Sequence, residues 1–515
     1  MCSSDLKRPL GIPTFRDKIV QEVLRQILES IYEPTFSYYS HGFRPKRSCH
    51  TALYQIKKKT TGSIWAIEGD ITGFFDNISH DVLIDILKRK IKDGRIIELI
   101  RRFLKAGYME HGIIRNTITG TPQGGIISPL LANIYLNELD HYVMKLKSQH
   151  CCGKKRYRNN EYRRINYKVN QLFKKGKNPE ALSLRKRMRQ LPSIDNMDPN
   201  YRRLFYCRYA DDFVIFVIGP KELAFKIKQQ VSQFLNEQLQ IELSQEKTFI
   251  TNLRKKSIRF LGYEIKKTHN NSKITKDKHN KTRRAINGTI MLRVPYDIII
   301  KKTKQFMKDR KPKARKERIK LNIVEMIDSY NAEIRGLYNY YSLAYNVSKE
   351  LSRFKYFHYY SLIYTLTNKL RSRVPNVIKK YSIPTKRKLG TGTFNLLGTQ
   401  YKTRNNELKT ITYFNESLKW KKEPQIDIEP PELIEYSYSQ QLIDRLARHT
   451  CELCHKTGSK YDFEIHHIRK LKDLKRKWAK RGKIVPQHVL VMSRIRRKTL
   501  IVCKQCHIDI HNGLI

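Results

Sequence analysis

The chain of 515 residues carries 103 Lys plus Arg against 47 Asp plus Glu, a formal net charge of +56. That excess costs more self-repulsion than solubility requires; a polyanionic partner explains it most simply, through counterion release and steering, and the 30 Tyr offer faces for unpaired RNA bases. No apolar run approaches the roughly 20 residues that cross a bilayer, and Met1-Cys2-Ser3-Ser4-Asp5-Leu6-Lys7 lacks a signal-peptide apolar region, so the composition argues against a membrane partner and for an intracellular protein of several domains.

In chain order, Arg8-Pro9-Leu10-Gly11-Ile12-Pro13-Thr14 leads into Arg16-Asp17-Lys18, and Gly42-Phe43-Arg44-Pro45 leads into Ser48 and His50. Arg16 and Lys18 suit a triphosphate or, in so basic a chain, a solvated face. In Trp65-Ala66-Ile67-Glu68-Gly69-Asp70-Ile71-Thr72-Gly73-Phe74-Phe75-Asp76, an apolar run ends on an acid followed by Gly and paired aromatics. Asp70 is a candidate metal ligand. Asp76 competes with it, but Ser79-His80-Asp81 reads as a helix start with Asn77 or Ser79 as cap, which makes Asp76 a turn or cap residue. Phe75 suits either a substrate contact or simple core packing. Gly124 and Gly125, within Gly120-Thr121-Pro122-Gln123-Gly124-Gly125, allow close backbone approach to a substrate.

Residues 151–203 form a basic insertion containing Lys154-Lys155-Arg156 and Arg185-Lys186-Arg187-Met188-Arg189. Helices are predicted near Tyr162 to Lys175 and Glu180 to Gln190, with Asn178-Pro179 as break and start signal, and the segment reads as RNA-contacting surface. Beyond it, Tyr209-Ala210-Asp211-Asp212 lies inside the apolar stretch Leu204 to Val217. Phe205, Cys207 and Tyr209 before the acids and Phe213, Val214, Ile215 and Phe216 after them suit two strands, so the acids fall at a hairpin turn. Two adjacent buried acids repel, and Mg2+ offsets that repulsion with the oxygen ligands it prefers. An ordinary Asp-Asp turn is the plainer alternative, which Asp70 as a third carboxylate weakens, because two-metal phosphoryl transfer calls for acids converging from separate strands.

After Tyr263 the sequence predicts Lys/Arg-rich helices, with Lys301 to Lys320 strongly basic and Ile327, Tyr330, Ile334, Leu337 and Tyr341 at helical spacing. Tyr338 and Tyr340 fall off that stripe and are the RNA-contact candidates. Residues 382–422 alternate in short segments such as Thr410-Ile411-Thr412-Tyr413-Phe414, and Glu423-Pro424-Gln425-Ile426-Asp427-Ile428-Glu429-Pro430-Pro431 suits a stiff linker over 423–440. In the last segment, Cys451-x-x-Cys454 and Cys503-x-x-Cys506 have tetrahedral zinc spacing, and disulfides are a poor alternative in a chain with no export signal. Glu464-Ile465-His466-His467 and His507-x-x-x-His511 are interleaved with them, and the last two histidines share one helical face.

Taken in order, these blocks resemble reverse transcriptases encoded by group II introns, and Cys451 to His511 resembles an HNH nuclease with a ββα-metal core. The resemblance spans most of the chain. It implies a multidomain α+β protein: right-hand polymerase fingers and palm over 1–265 with a palm sheet and catalytic hairpin, an α-helical thumb or maturase domain over 285–381, a small DNA-binding region over 382–422, and the nuclease over 441–515. Asp70, Asp211 and Asp212 would hold catalytic Mg2+, Gln123 and Gly124 would meet the deoxynucleotide, and Phe75 would exclude a ribose 2′-hydroxyl. Arg16 and Lys18 would contact triphosphate, and Lys247, in Leu243-Ser244-Gln245-Glu246-Lys247-Thr248, would lie against nucleic acid. Cys451, Cys454, Cys503 and Cys506 would hold structural Zn2+. His466, His507 and His511 would ligate a divalent nuclease metal and His467 would be the general base, although all four histidines could instead serve a structural zinc. The middle Asn of the HNH motif is not apparent; Lys498-Thr499 stands in its place.

The resemblance implies group II intron RNA, a DNA target and deoxynucleoside triphosphates as partners, with a homodimer left open, in the bacterial cytoplasm and nucleoid or in a mitochondrial matrix. The implied activities are RNA-directed DNA polymerase, splicing maturase and DNA endonuclease, joined in target-primed intron homing. Two rivals are a maturase that no longer copies, and a reverse transcriptase of a defence or diversification system. The first gains weight because the family carries more fingers sequence before the Arg8 block than this chain does, so a fragment, an alternative start or truncated fingers is expected.

Overall fold

A computed structural model describes residues 11–106, 108–110, 113–115, 124–195, 198–270, 273–276, 280, 282–284, 287–386, 393–402, 407–424, 445–446, 448–467, 485–494 and 499–514. Gln123 and most of the 423–440 linker lie outside these residues. The chain divides into two compact units: the first holds the described residues through Pro312 with Glu333–His358 and 416–424, and the second holds Lys313–Ala332, Tyr359–Asn415 and the described residues beyond 445. These units cut across the thumb expected at 285–381. Among the described residues no helix is long and apolar enough to cross a membrane.

The first unit is built on a four-stranded antiparallel sheet of β1 (Trp65–Gly69), β2 (Arg203–Tyr209), β3 (Asp212–Ile218) and β4 (Phe249–Asn252), in the order β2-β3-β1-β4. Phe213 to Ile218 is a continuous apolar run because β3 is central, and every one of those residues is buried. Register is fixed by the pairs Trp65↔Val217 and Gly69↔Phe213. At Gly69 a Cβ would lie 2.1 Å from the Phe213 ring, so the strand delivering Asp70 passes beneath that ring only as glycine. Helices α1 (Phe15–Tyr32), α2 (Cys49–Lys59), α3 (Phe74–Asn77), α4 (His80–Lys88), α5 (Ser128–His150), α6 (Asn160–Lys174), α7 (Asn178–Gln190) and α8 (Lys221–Leu239) surround it. Leu131, Leu136, Leu139 and Val143 of α5 and Ile227, Val231 and Leu235 of α8 join Ile67, Ile215 and Val217 in one core. The two helices predicted in the insertion are α6 and α7, which close on their own small core of Ile165, Val169 and Met188.

Beyond Tyr263 the expectation of helices needs correcting. A second antiparallel sheet of β5 (Ile258–Phe260), β6 (Tyr263–Lys267) and β7 (Ile290–Arg293) carries the strand-forming part of the unit past residue 265. Arg259, Lys266 and Arg293 alternate with buried Ile258, Ile265, Ile290 and Leu292, a period of two that the basic composition disguises. Helices α9 (Ile323–Tyr341) and α10 (Val347–Leu370) follow.

In the second unit, β8 (Ser382–Lys386), β9 (Thr393–Lys402) and β10 (Leu408–Thr412) form a three-stranded meander where short alternating segments are predicted. Asn331 donates to the Thr412 carbonyl at 2.8 Å and accepts from the Phe414 amide at 2.8 Å, fixing the end of that sheet. The last segment is a ββα unit: β11 (Phe463–His467) pairs antiparallel with β12 (Thr499–Cys503), with α11 (Gln487–Arg494) between them in sequence and α12 (Lys504–His511) after them. Its core is Leu453, Phe463, Met492, Leu500, Ile501, Val502 and Ile510.

Candidate active sites and metal centres

The hairpin between β2 and β3 closes on the pair Tyr209↔Asp212, leaving Ala210-Asp211 as a two-residue turn. Ala210 has φ of 55°, a value that favours glycine, so the surroundings must hold it there. Gly42 is one such constraint: a Cβ on it would lie 2.4 Å from the Ala210 nitrogen. Arg208 is another. Its guanidinium donates to the Ala210 carbonyl (2.9 Å), to Asn133 Oδ1 (3.0 Å) and to both carboxylate oxygens of Asp140 (2.8 and 2.7 Å), and Arg208 and Asp140 side chains are both fully buried. Asn133 donates in turn to the Gly42 carbonyl at 2.8 Å, and Tyr206 donates to Asp140 at 2.8 Å. The turn is thus bolted to α5 and to the Gly42-Phe43-Arg44-Pro45 segment. The sequence reading missed Asn133, Asp140 and Arg208, because nothing local marks an ion pair 68 residues apart.

Asp70 follows β1, and its carbonyl accepts from the Ser244 amide at 2.8 Å, tying the strand end to the segment that carries Lys247. Lys247 Nζ lies 3.0 Å from Asp70 Oδ2, so the lysine expected against nucleic acid meets a carboxylate of the proposed metal set. Asp212 is solvent-accessible yet ringed by enough protein that desolvation, followed by the charges of Asp211 and Asp70 and opposed by Lys247, raises its carboxyl to about 6. Asp212 therefore feels the charges of both other acids. Among the described residues, however, only two other groups have three or more ligand atoms all within 4.8 Å of one another. Phe75 is half-buried beside Phe74, with ring centroids 5.4 Å apart, in a short helix capped by Gly73. Asp76 lies inside that helix rather than capping one, and it is exposed. Gly124 is exposed, and the backbone two residues after it is held by Gln21, which accepts from the Ile126 amide at 2.8 Å. Arg16 and Lys18 sit in the first turn of α1, capped by Thr14. Two residues apart, they project from different sides of the helix.

Of the two tyrosines read as RNA contacts, Tyr338 does not stand where the sequence reading puts it, whereas Tyr340 is exposed as expected. Tyr338 is 5% exposed and donates to the Lys419 carbonyl at 2.7 Å, because residues 419–421 fold back over the polar-looking side of α9. It is not available to RNA. Tyr340 is 37% exposed and donates to the Leu261 carbonyl at 2.9 Å, while Tyr341 donates to the Gly262 carbonyl at 3.2 Å. Leu261 and Gly262, with φ of 48° and 68°, form the tight turn between β5 and β6, so the tyrosines clamp that turn.

The two groups with clustered ligand atoms lie in the last segment: Cys451, Cys454, Cys503 and Cys506, and His466, His507 and His511. Cys454 Sγ and Cys503 Sγ are 3.8 Å apart. Zn–S bonds of about 2.3 Å set tetrahedral S···S edges at about 3.8 Å, so the thiols fit zinc. The thiols and the three histidines form two separate clusters, so the histidines are not ligands of the four-thiol site. The imidazoles of His507 and His511 are 4.8 Å apart, one turn along α12, and His466 lies 5.4 and 5.6 Å from them. His507 Nδ1 donates to Glu464, two residues from His466 on the same face of β11, which leaves Nε2 as the lone-pair nitrogen. Burial, followed by the neighbouring His488, His507, His511 and His467, pulls His466 down to about 4, so it is neutral and able to ligate. His467, next along the strand, is exposed. His488 on α11 is buried beside His466 with rings 5.7 Å apart, a neighbour the sequence reading did not name.

Comparison with known proteins bears on all three parts. Residues 3–174 and 180–265 match the family model for reverse transcriptase (RNA-dependent DNA polymerase), 287–424 that for type II intron maturase, and 451–507 that for AI2M/AI1M-like HNH endonuclease. The group II intron-encoded protein LtrA of Lactococcus lactis subsp. cremoris is 39% identical over 527 residues, covering 98% of this chain and 83% of that one. A 91 kDa protein in the cob intron of Schizosaccharomyces pombe is 35% identical over 526 residues, covering 98% and 61%. Among solved structures, telomerase from Candida albicans aligns at 12% identity over 71% of this chain and 55% of that one, with a TM-score of 0.32, too loose a likeness to carry weight.

Proposed function

The chain belongs to the group II intron-encoded proteins, with reverse transcriptase, type II intron maturase and HNH endonuclease parts, and from that premise we propose that these parts act in turn on one nucleic-acid substrate. It is an RNA-directed DNA polymerase and an HNH-type DNA endonuclease. In our reading, it binds its intron RNA, assists splicing and stays with the excised RNA, which reverse-splices into one strand of a DNA target. The nuclease cuts the other strand, and the palm extends the new 3′-hydroxyl by copying the RNA. We read its place of action as a bacterial cytoplasm and nucleoid, which the bacterial relative supports, with a mitochondrial matrix as the alternative. The polymerase part is drawn through Arg293, where the second sheet ends, with thumb, DNA-binding region and nuclease after it.

The observation that carries the polymerase assignment is the rigidly held hairpin turn of Asp211 and Asp212 beside the strand end that bears Asp70, where burial first, and then the charges of Asp211 and Asp70, raise the Asp212 carboxyl. Divalent ions held there would neutralise charge on the attacking 3′-hydroxyl and the leaving pyrophosphate. Gly124 would let the backbone approach the deoxynucleotide, Gln123 would meet it, and Phe75 would stand against a 2′-hydroxyl. Arg16 and Lys18, at the positive end of α1, favour an anion, and one of them would reach a given phosphate. Lys247 would leave Asp70 for substrate, and Tyr340 would hold the Leu261-Gly262 turn against the primer strand.

In the nuclease, Cys451, Cys454, Cys503 and Cys506 would hold structural zinc, and His466, His507 and His511 a divalent ion. His467 would take the proton of the attacking water while the bond from phosphorus to the 3′-oxygen breaks, leaving the 3′-hydroxyl that the palm needs. Glu464 would keep His507 in the ligating tautomer. The test is primer extension on an annealed RNA template by the parent and by an Asp211→Ala Asp212→Ala variant. Extension by the parent alone supports the reading. Extension by neither, with intron RNA still bound, would favour a maturase that does not copy.

A further inference from the structure

We propose a second anion site at the end of the palm sheet opposite the catalytic turn, where Arg156, Arg254 and Lys267 gather around the Gly62–Ser63 backbone and take a phosphodiester of bound nucleic acid. This rests on the nucleic-acid reading above and adds a location to it. Four separate segments build the site: the loop before β1, the start of the insertion, the turn after β4 and the end of β6. Lys267 is 5% exposed and donates to the Ser63 carbonyl at 2.7 Å and the Gly62 carbonyl at 3.1 Å. Arg156 donates to the same Gly62 carbonyl at 3.0 Å. Gly62 has φ of 90°, and a Cβ on it would lie 3.2 Å from the Arg156 guanidinium, so glycine keeps the cations close.

The charges do not balance from within. Burial, with Arg254 and Arg156 adding to it, lowers Lys267 to about 7. Burial also lowers Arg156, with Arg254 and Arg203 adding to it. Arg156 and Arg203 share the ring of Tyr201, at 5.2 and 4.3 Å from its centroid, which is cation–π support without neutralisation. Asp198 is the carboxylate felt by Arg156, and its oxygens already accept from the Tyr157 and Asn200 amides at 2.8 and 2.9 Å. Among the described residues, none of Arg156, Arg254 and Lys267 makes an ion pair. Two polar atoms in the same segments, Arg254 Nε and Ser63 Oγ, are buried without a partner. Clustered cations with spare donors describe a receptor for a multiply accepting anion. Seven residues of extended chain separate Ser63 from Asp70, about 23 Å, so a phosphate here belongs to a stretch of nucleic acid beyond the primer terminus.

Arg254→Gln is the decisive variant, because no side-chain bond of its guanidinium is lost with it; Arg156→Gln and Arg254→Lys accompany it. The full chain is titrated with labelled intron RNA and, separately, with labelled target duplex across a salt series, alongside extension of a short pre-annealed primer–template. The site predicts several-fold weaker binding by Arg254→Gln, with a salt slope smaller by roughly 0.7–0.9 for one lost phosphate contact. It also predicts a parent-like slope for Arg254→Lys and unchanged short-template extension. A reduced slope with RNA alone identifies an RNA phosphate, and with duplex alone a DNA phosphate; either supports the site. Parent slopes for both glutamine variants on both ligands would overturn it. A parent chain that binds neither ligand would instead sink the nucleic-acid reading, and the site with it.

Discussion

Removing Asp140 strands the Arg208 guanidinium, which is fully buried and cannot shed its proton, beneath the catalytic turn. Breaking a buried pair by deleting one partner costs about 3–5 kcal/mol, and Tyr206 loses its acceptor as well. Asp140→Ala is therefore expected to destabilise the first unit by that amount. Replacing both partners, Asp140→Leu with Arg208→Met, takes both charges out of the core and should recover most of the loss, leaving a coupling of at least about 2 kcal/mol. Activity should not follow stability. The double variant still lacks the donor to the Ala210 carbonyl, so primer extension should stay at least about tenfold low, as expected when a turn carrying two reacting carboxylates is misplaced. Pulse proteolysis of the full chain over a urea series, reading fragments from the first unit, gives the stabilities without assuming that the whole chain unfolds in one step. A cost below about 1 kcal/mol for Asp140→Ala, additive losses in the double variant, or full extension by the double variant would each refute the reasoning.

Gly42→Ala should cut extension by tenfold or more while leaving DNA nicking intact, since its Cβ would lie 2.4 Å from backbone that cannot yield without moving Ala210; parent-like extension would show that the turn tolerates the shift. Burial lowers His41 from 6.5 to about 4. The unfolded chain therefore binds a proton that the folded one resists, so the stability His41 contributes is complete above about 6.5 and is lost as pH falls towards 4, a change of about 3 kcal/mol. His41→Gln should flatten the parent curve over that window, and parallel curves would contradict the assignment. Cys506→Ser should lose bound zinc by metal analysis and expose the segment beyond 445 to protease, with extension persisting; unchanged zinc content would dismiss the four-thiol site.

What could be read from the sequence was chemistry encoded in short spacings. Tyr209 to Asp212 announces a hairpin through its β-forming flanks, and Cys451, Cys454, Cys503 and Cys506 announce a metal site through paired thiols, so the turn and the cluster appear where expected. Long-range packing was not readable. Asp140 matters because of what folds against it and carries no local signal, and Gly42, legible as part of a motif, gives no hint in sequence that it packs on Ala210. Tyr338 was misjudged for the same reason: helical phase marks it as outward, but residues 419–421 return to cover it. The extension of strand structure past residue 265 was hidden by basic composition, which masks an alternation visible once buried Ile265, Ile290 and Leu292 are seen on one sheet.

The central claim is that the nuclease makes the primer the palm extends. The direct test supplies the protein, assembled with its intron RNA, with an intact DNA target and labelled deoxynucleotides. The parent should join new DNA to the cut strand, and Asp211→Ala Asp212→Ala should cut without extending. His507→Ala should do neither on intact target yet extend normally on a target already nicked. Extension from intact target by His507→Ala at the parent's level would contradict the account.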